Sequence, residues 1–128
     1  IYIKIQNFKE KNMAQVVNVK VQYIRKEGYQ NLKDWMEDKN NEYIGRQGIV
    51  FIDRERFPKK PSEYCNPYKV GKDGTLEEVL EKYEQHLINQ IKLNPNFLDK
   101  LRNKKNLGCW CKPNLCHGDI ILRYLNEI

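Results

Sequence analysis

The sequence predicts a small single-domain α/β fold, with a parallel or mixed sheet flanked by helices. Three observations predict it. Short strand-like apolar runs alternate with helical patterns along the chain. A chain of 128 residues has room for one hydrophobic core. No internal repeat interrupts the alternation, and seven Gly and five Pro are too few for a low-complexity or collagen-like chain.

The elements follow in order. Residues 1–12 read either as a translated leader, with Met13 the natural start of a domain over 13–128, or as an extra edge strand. The second option rests on Ile1, Ile3 and Ile5 alternating with Tyr2 and Lys4. From Val17 to Ile24, Val17, Val19, Val21 and Tyr23 alternate with polar residues, the pattern of a half-buried strand. Asn31 caps a short helix to about Asp38 that buries Leu32, Trp35 and Met36. Glu42 to Arg46 is a short extended segment, and Ile49 to Ile52 a second apolar strand. Asp53 to Gly74 contains Pro58, Pro61 and Pro67 and reads as a long loop, ordered by Phe57, Tyr64 and Tyr68.

Thr75 and Glu78 form a capping box, and Leu76, Val79, Leu80, Tyr83, Leu87 and Ile91 then place one apolar stripe on a long helix. Asn94-Pro95 restarts the chain into a shorter helix carrying Phe97, Leu98 and Leu101. Leu107 to Cys111 is a brief strand. Gly118 to Ile128 is a closing helix that buries Ile121, Leu122, Leu125 and Ile128.

Lys plus Arg is 23 against 17 for Asp plus Glu, an excess of +6. It falls to +4 if Met13 is the start, since Lys4, Lys9 and Lys11 leave with Glu10. Such a balance favours polyanions. The basic residues are scattered, however, with their densest cluster at Arg102, Lys104 and Lys105, so charge alone supports only weak attraction to nucleic acid. No apolar run approaches the ~20 residues that span a bilayer, and no secretory signal is visible. Three of the four cysteines, Cys109, Cys111 and Cys116, cluster beside His117, unlike a spread disulfide framework. They read as reduced thiols in an intracellular compartment.

The segment Leu107 to Asp119 (LGCWCKPNLCHGD) concentrates the chemistry. On a strand, Cys109 and Cys111 share one face and Trp110 the other, and the Lys112–Leu115 turn returns Cys116 and His117 to the strand end. Three readings stay open. Cys109, Cys111, Cys116 and His117 are a complete tetrahedral set for zinc. Alternatively, Cys116 at a helix N-terminus is a nucleophile, with His117 or Asp119 carrying protons, or those two act as acid and base without a thiol; the same helix end suits a phosphate. The third reading is structural: buried cysteines, and Asp119 as a helix cap. His86 in the long helix is assigned no role.

Taken together, Tyr43-Ile44-Gly45-Arg46, Asn66-Pro67-Tyr68, Gly71-Lys72-Asp73-Gly74-Thr75, Leu107-Gly108-Cys109-Trp110-Cys111, Pro113 and Cys116-His117-Gly118-Asp119 resemble the domain of unknown function 4326 family. The likeness covers almost everything from Val17 to Leu125. It implies an α/β fold without naming a reaction. Two departures stand out: Tyr64-Cys65 replaces a short Ser/Pro-Leu-Gly step before Asn-Pro, and Leu76 stands where many members carry Arg. In these marks Gly45 and Gly71 permit close backbone approach or positive φ. Asn66-Pro67 is a rigid turn, and Arg46 and Lys72 bring positive charge to predicted strand ends, where open sheets bind ligands.

Two functional expectations follow. The first is a site for a nucleotide-like or other phosphorylated ligand, enzymatic or not, held by Gly45, Arg46, Asn66 and Lys72 with Cys116, His117 and Asp119 at its reactive end. The second is a non-enzymatic, zinc-stapled module that binds nucleic acid or a protein partner. An accessory subunit carrying a degenerate copy of the fold is a third option, in line with Leu76.

Overall fold

The structure, a computed structural model, describes residues 14–127. The expectations for residues 1–12, for Met13 and for Ile128 lie outside the described residues.

The first strand, β1 (Gln15–Asn18), is shorter than the alternation predicts. Asn18 ends it. Its Oδ1 accepts from the Lys20 backbone N–H at 2.9 Å, while its Nδ2 donates to the Lys112 carbonyl at 2.7 Å. The chain therefore turns into a single helical turn, α1 (Val21–Ile24), and a 3₁₀ turn (Arg25–Glu27) closed by Gly28 at φ 99°. This corrects the strand expected over Val17 to Ile24: Val19 and Ile24 are buried, whereas Val21 and Tyr23 are exposed.

Helix α2 (Leu32–Glu37) begins as expected, with Asn31 Oδ1 accepting from the Asp34 N–H at 2.9 Å. After β2 (Asn41–Tyr43), strands β3 (Val50–Ile52) and β4 (Glu55–Phe57) pair as an antiparallel hairpin. Its two turn residues, Asp53 and Arg54, both have positive φ, 54° and 68°, as the tight hairpin turn requires. Strand β4 is thus carved out of the segment read as loop. The turn lacks the Asn-Gly or Asp-Gly pair that normally signals a hairpin. The remainder is a loop and is ordered. Tyr64 is 1% exposed, its hydroxyl donates to the Phe97 carbonyl at 2.9 Å, and its own carbonyl accepts from the Tyr83 hydroxyl at 2.7 Å.

Thr75 and Glu78 form both halves of the capping box that opens α3 (Leu76–Leu93). The helix expected after Pro95 shrinks to a 3₁₀ turn (Asp99–Leu101), yet Leu98 and Leu101 are still buried. Strand β5 (Asn106–Cys109) and helix α4 (His117–Glu127) complete the described chain.

Strands β1, β5 and β2 form one parallel sheet in that order, with β5 central. Both faces are covered. Leu107 and Cys109 join a core with Ile44, Tyr83, Leu87, Ile121 and Leu125 beneath α3 and α4. On the opposite face Val19, Ile24, Leu32, Trp35 and Tyr43 form a second cluster, against which Val50, Ile52 and Phe57 of the hairpin pack.

Gly108 sits where that second face comes closest to the central strand. A Cβ there would lie 2.5 Å from Trp35 Cη2 and 2.6 Å from Val19 Cγ1. Gly108→Ala is therefore expected to cost about 1–3 kcal/mol through overpacking, read from the shift of the denaturant midpoint at unchanged slope.

Candidate functional site

The site is built where β5 ends and α4 begins. Beyond Cys109 the chain bends through a cis Lys112–Pro113 bond, and the Asn114 N–H donates to the Cys111 carbonyl at 2.8 Å. That bend returns Cys116 to the head of α4. Its Sγ accepts from the Gly118 N–H at 3.3 Å, and its own N–H donates to Asp119 Oδ2 at 2.9 Å. Cys109 Sγ and Cys116 Sγ are 3.1 Å apart and both residues are buried. Strand geometry stops at Cys109, so Cys111 escapes burial and is exposed.

The three thiols do not titrate alike. Hydrogen bonds from Cys109 and Cys116 hold the Cys111 thiol well below the ordinary range. The Cys109 thiol is raised by its bond to Cys111 and by burial, and Cys116 by its bonds to Cys109 and Cys111 and by burial.

His117 faces this cluster from the first turn of α4 and is 7% exposed. Its Nε2 lies 2.7 Å from the Ile44 carbonyl, which can only accept, so Nε2 carries the hydrogen and Nδ1 the lone pair. The Tyr83 ring packs edge-on at 5.0 Å. Burial lowers the His117 pKa and keeps the ring neutral. Two glycines permit this close assembly: a Cβ on Gly118 would lie 2.9 Å from Ile44 Cδ1 and from Val16 Cγ2, and one on Gly45 2.5 Å from the Tyr43 hydroxyl.

The middle of the chain closes the opposite wall. Arg46 Nε donates to the Asn66 carbonyl at 3.1 Å and Nη2 to the Tyr68 carbonyl at 2.6 Å, which pins the Asn66-Pro67 turn. Asn66 Oδ1 accepts from the Tyr68 N–H at 2.9 Å, so the side chain shapes the turn itself.

The result is a cleft of about 500 Å³ at the carboxyl ends of β2 and β5. Gly45, Arg46 and Asn66 line it together with Cys109, Cys111, Cys116 and His117, so the two expected groups share one hollow. Lys72 does not line it; Lys69 does, from the same loop. Asp119 also lies outside, engaged with the Cys116 N–H and, at 2.6 Å, with Lys112 Nζ, and it borders a shallower hollow with Glu84 and Arg123. Apolar walls that sequence reasoning missed come from Tyr68, Leu76, Val79, Leu80, Trp110 and Leu115. Tyr68 and Lys69 directly follow Asn66-Pro67, and that adjacency was the available signal.

Among the described residues no group of three or more His, Cys, Asp or Glu is arranged as a metal-ligand set. That holds for the expected set of Cys109, Cys111, Cys116 and His117 as well.

Comparison with known proteins agrees with the motifs. The family model described as a domain of unknown function (DUF4326) matches residues 28–127. An uncharacterised 12.4 kDa protein in the nrdA-td intergenic region of enterobacteria phage T4 is 41% identical over 63 residues, covering 46% of this chain and 57% of that protein. The match thus spans little more than half of the relative's length. No solved structure matches.

Because His117 is held neutral when folded but takes up a proton near its ordinary value of 6.5 when unfolded, the unfolded state binds more protons below that pH. Stability is therefore expected to be complete above pH 6.5 and to fall as the pH drops, by at most about 1.4 kcal/mol per pH unit from this group. Denaturation of wild type and His117→Gln between pH 5 and 8 checks it; the Gln amide still reaches Ile44, and the His-dependent slope should vanish.

Proposed function

The chain belongs to the family of the domain of unknown function DUF4326, and from that premise we propose that its cleft binds an anionic, nucleotide-like or other phosphorylated small molecule. The observation that carries the reading is the charge of the lining. Arg46 and Lys69 face the cleft, and no Asp or Glu lines it. Among the described residues neither cation has a carboxylate within ion-pair distance. Arg46 spends two donors on backbone carbonyls, yet those carbonyls do not cancel its charge. The apolar walls, with Tyr68 and Trp110 among them, suit a flat heterocycle, and a volume of about 500 Å³ falls in the range of small-molecule sites.

The thiols and His117 form the reactive end of this cleft, with Cys111 rather than Cys116 the accessible sulfur. Asp119 serves as the cap of α4, and Lys72 as a turn residue. A zinc staple held by the cysteines and His117, with nucleic acid or a protein as its partner, is the competing reading, favoured by the open lone pair of His117 Nδ1 on the cleft that the three cysteines line.

Thermal-shift titration with nucleotides and sugar phosphates tests the proposal. At least one is expected to stabilise the protein, and Lys69→Ala to weaken it about tenfold, the loss of one charge-assisted contact. No stabilisation by any of these anions defeats the reading. Zinc at one equivalent in protein purified without added metal, lost together with the fold in chelator, establishes the staple instead.

A further inference from the structure

Three thiols lining one end of a cleft, one exposed and two buried, are more than an anion site needs. We infer that the cluster is a dithiol centre for thiol–disulfide exchange, with Cys111 as the attacking sulfur and Cys116 as the resolving one. The substrate class is a disulfide small enough to enter the cleft or present on an accessible protein surface. The inference does not rest on the anion-binding reading, since the exchange uses only the sulfurs.

The assignment follows from placement. Cys111 is the exposed member of the cluster, so an incoming disulfide meets it first. Cys109 and Cys116 are 1% and 2% exposed and cannot be reached by a bulky disulfide without opening the core. Of these two, Cys116 sits at the head of an eleven-residue helix, and its Sγ accepts from the Gly118 N–H at 3.3 Å. That N–H orients the sulfur at the head of α4, on the same cleft as Cys111, for attack on a mixed disulfide. Cys109 lies on the central strand, 3.1 Å from Cys116, and holds the resolving sulfur in place.

The chemistry balances in two displacements. The Cys111 thiolate attacks one sulfur of R–S–S–R′; that S–S bond breaks, a Cys111–S–R bond forms, and R′S⁻ leaves. The Cys116 thiolate then attacks Cys111 Sγ; the Cys111–S–R bond breaks, the Cys111–Cys116 disulfide forms, and RS⁻ leaves. The substrate gains two electrons and becomes two thiols, whose protons replace those given up by Cys111 and Cys116. An external dithiol restores the reduced protein by the reverse sequence.

The test uses the full chain carrying Cys65→Ser, which removes the one thiol outside the cluster, and one equivalent of dithiobis(nitrobenzoate) as the disulfide. The parent is expected to release two nitrothiobenzoates and to end with a mass lower by two hydrogens and no adduct. Cys116→Ser should release one and keep the other as an adduct, while Cys109→Ser should still release both. Cys111→Ser should react at least about tenfold more slowly, because only buried thiols remain. The inference is overturned if Cys111→Ser reacts as fast as the parent. It also fails if Cys116→Ser clears its adduct as completely as the parent, which would make Cys109 the resolving thiol. Should a variant not fold, the parent alone decides: a transient adduct that disappears with the second release supports the exchange. A permanent adduct, or thiols that stay inert until a chelator removes zinc, refutes it.

Discussion

The hydrogen bond from His117 Nε2 to the Ile44 carbonyl is the contact on which the rest of the site depends. Ile44 is bound from both sides: its N–H donates to the Gly108 carbonyl of the central strand at 2.9 Å, and its carbonyl receives the head of α4. Strand register and helix position are thereby coupled through one residue. The next residues along, Gly45 and Arg46, then enter the cleft from one side as Cys116 and His117 enter from the other. A charged imidazole would have no place here, since the ring is buried against Tyr83 and its protonated form would lose hydration without a carboxylate to compensate. Neutrality, a packed aromatic neighbour and one backbone acceptor are the conditions that let a histidine serve as a structural rivet.

Around that rivet the polar groups divide their labour. Arg46 shapes the Asn66-Pro67 turn through two backbone carbonyls while leaving its positive charge in the cleft. Asp119, by contrast, is consumed by the helix it caps and by Lys112. Two residues that look equally functional in the sequence thus end with different tasks, because one projects across the strand ends and the other folds back on its own helix. The sulfurs divide likewise. The strand buries Cys109 and the helix buries Cys116, whereas the bend between them leaves Cys111 exposed.

Much of this was legible in the sequence where the determinants are local. The alternation of strand and helix patterns gave the α/β class. Asn31, and Thr75 with Glu78, marked helix starts because a capping side chain and the N–H it accepts from lie three residues apart. Tyr64 and its neighbours marked an ordered loop. The clustering of Cys109, Cys111, Cys116 and His117, and the Asn66-Pro67 turn, identified both walls of the cleft.

What the tertiary structure alone decided involves partners far apart in the chain. Strand β1 ends at Asn18 because its amide meets the backbone of Trp110 and Lys112, 92 and 94 residues away, and no periodicity could announce that. The β3–β4 hairpin turns on Asp53 and Arg54, residues without the usual signature, and packs its apolar side on a core formed by distant helices. Lys69 rather than Lys72 reaches the cleft because the loop is tethered by Arg46, twenty or more residues earlier. The sequence by itself determined which chemical groups exist and which short segments present them. Which of those groups face one another was settled by packing, since only the folded chain brings the end of β2, the end of β5 and the head of α4 into contact.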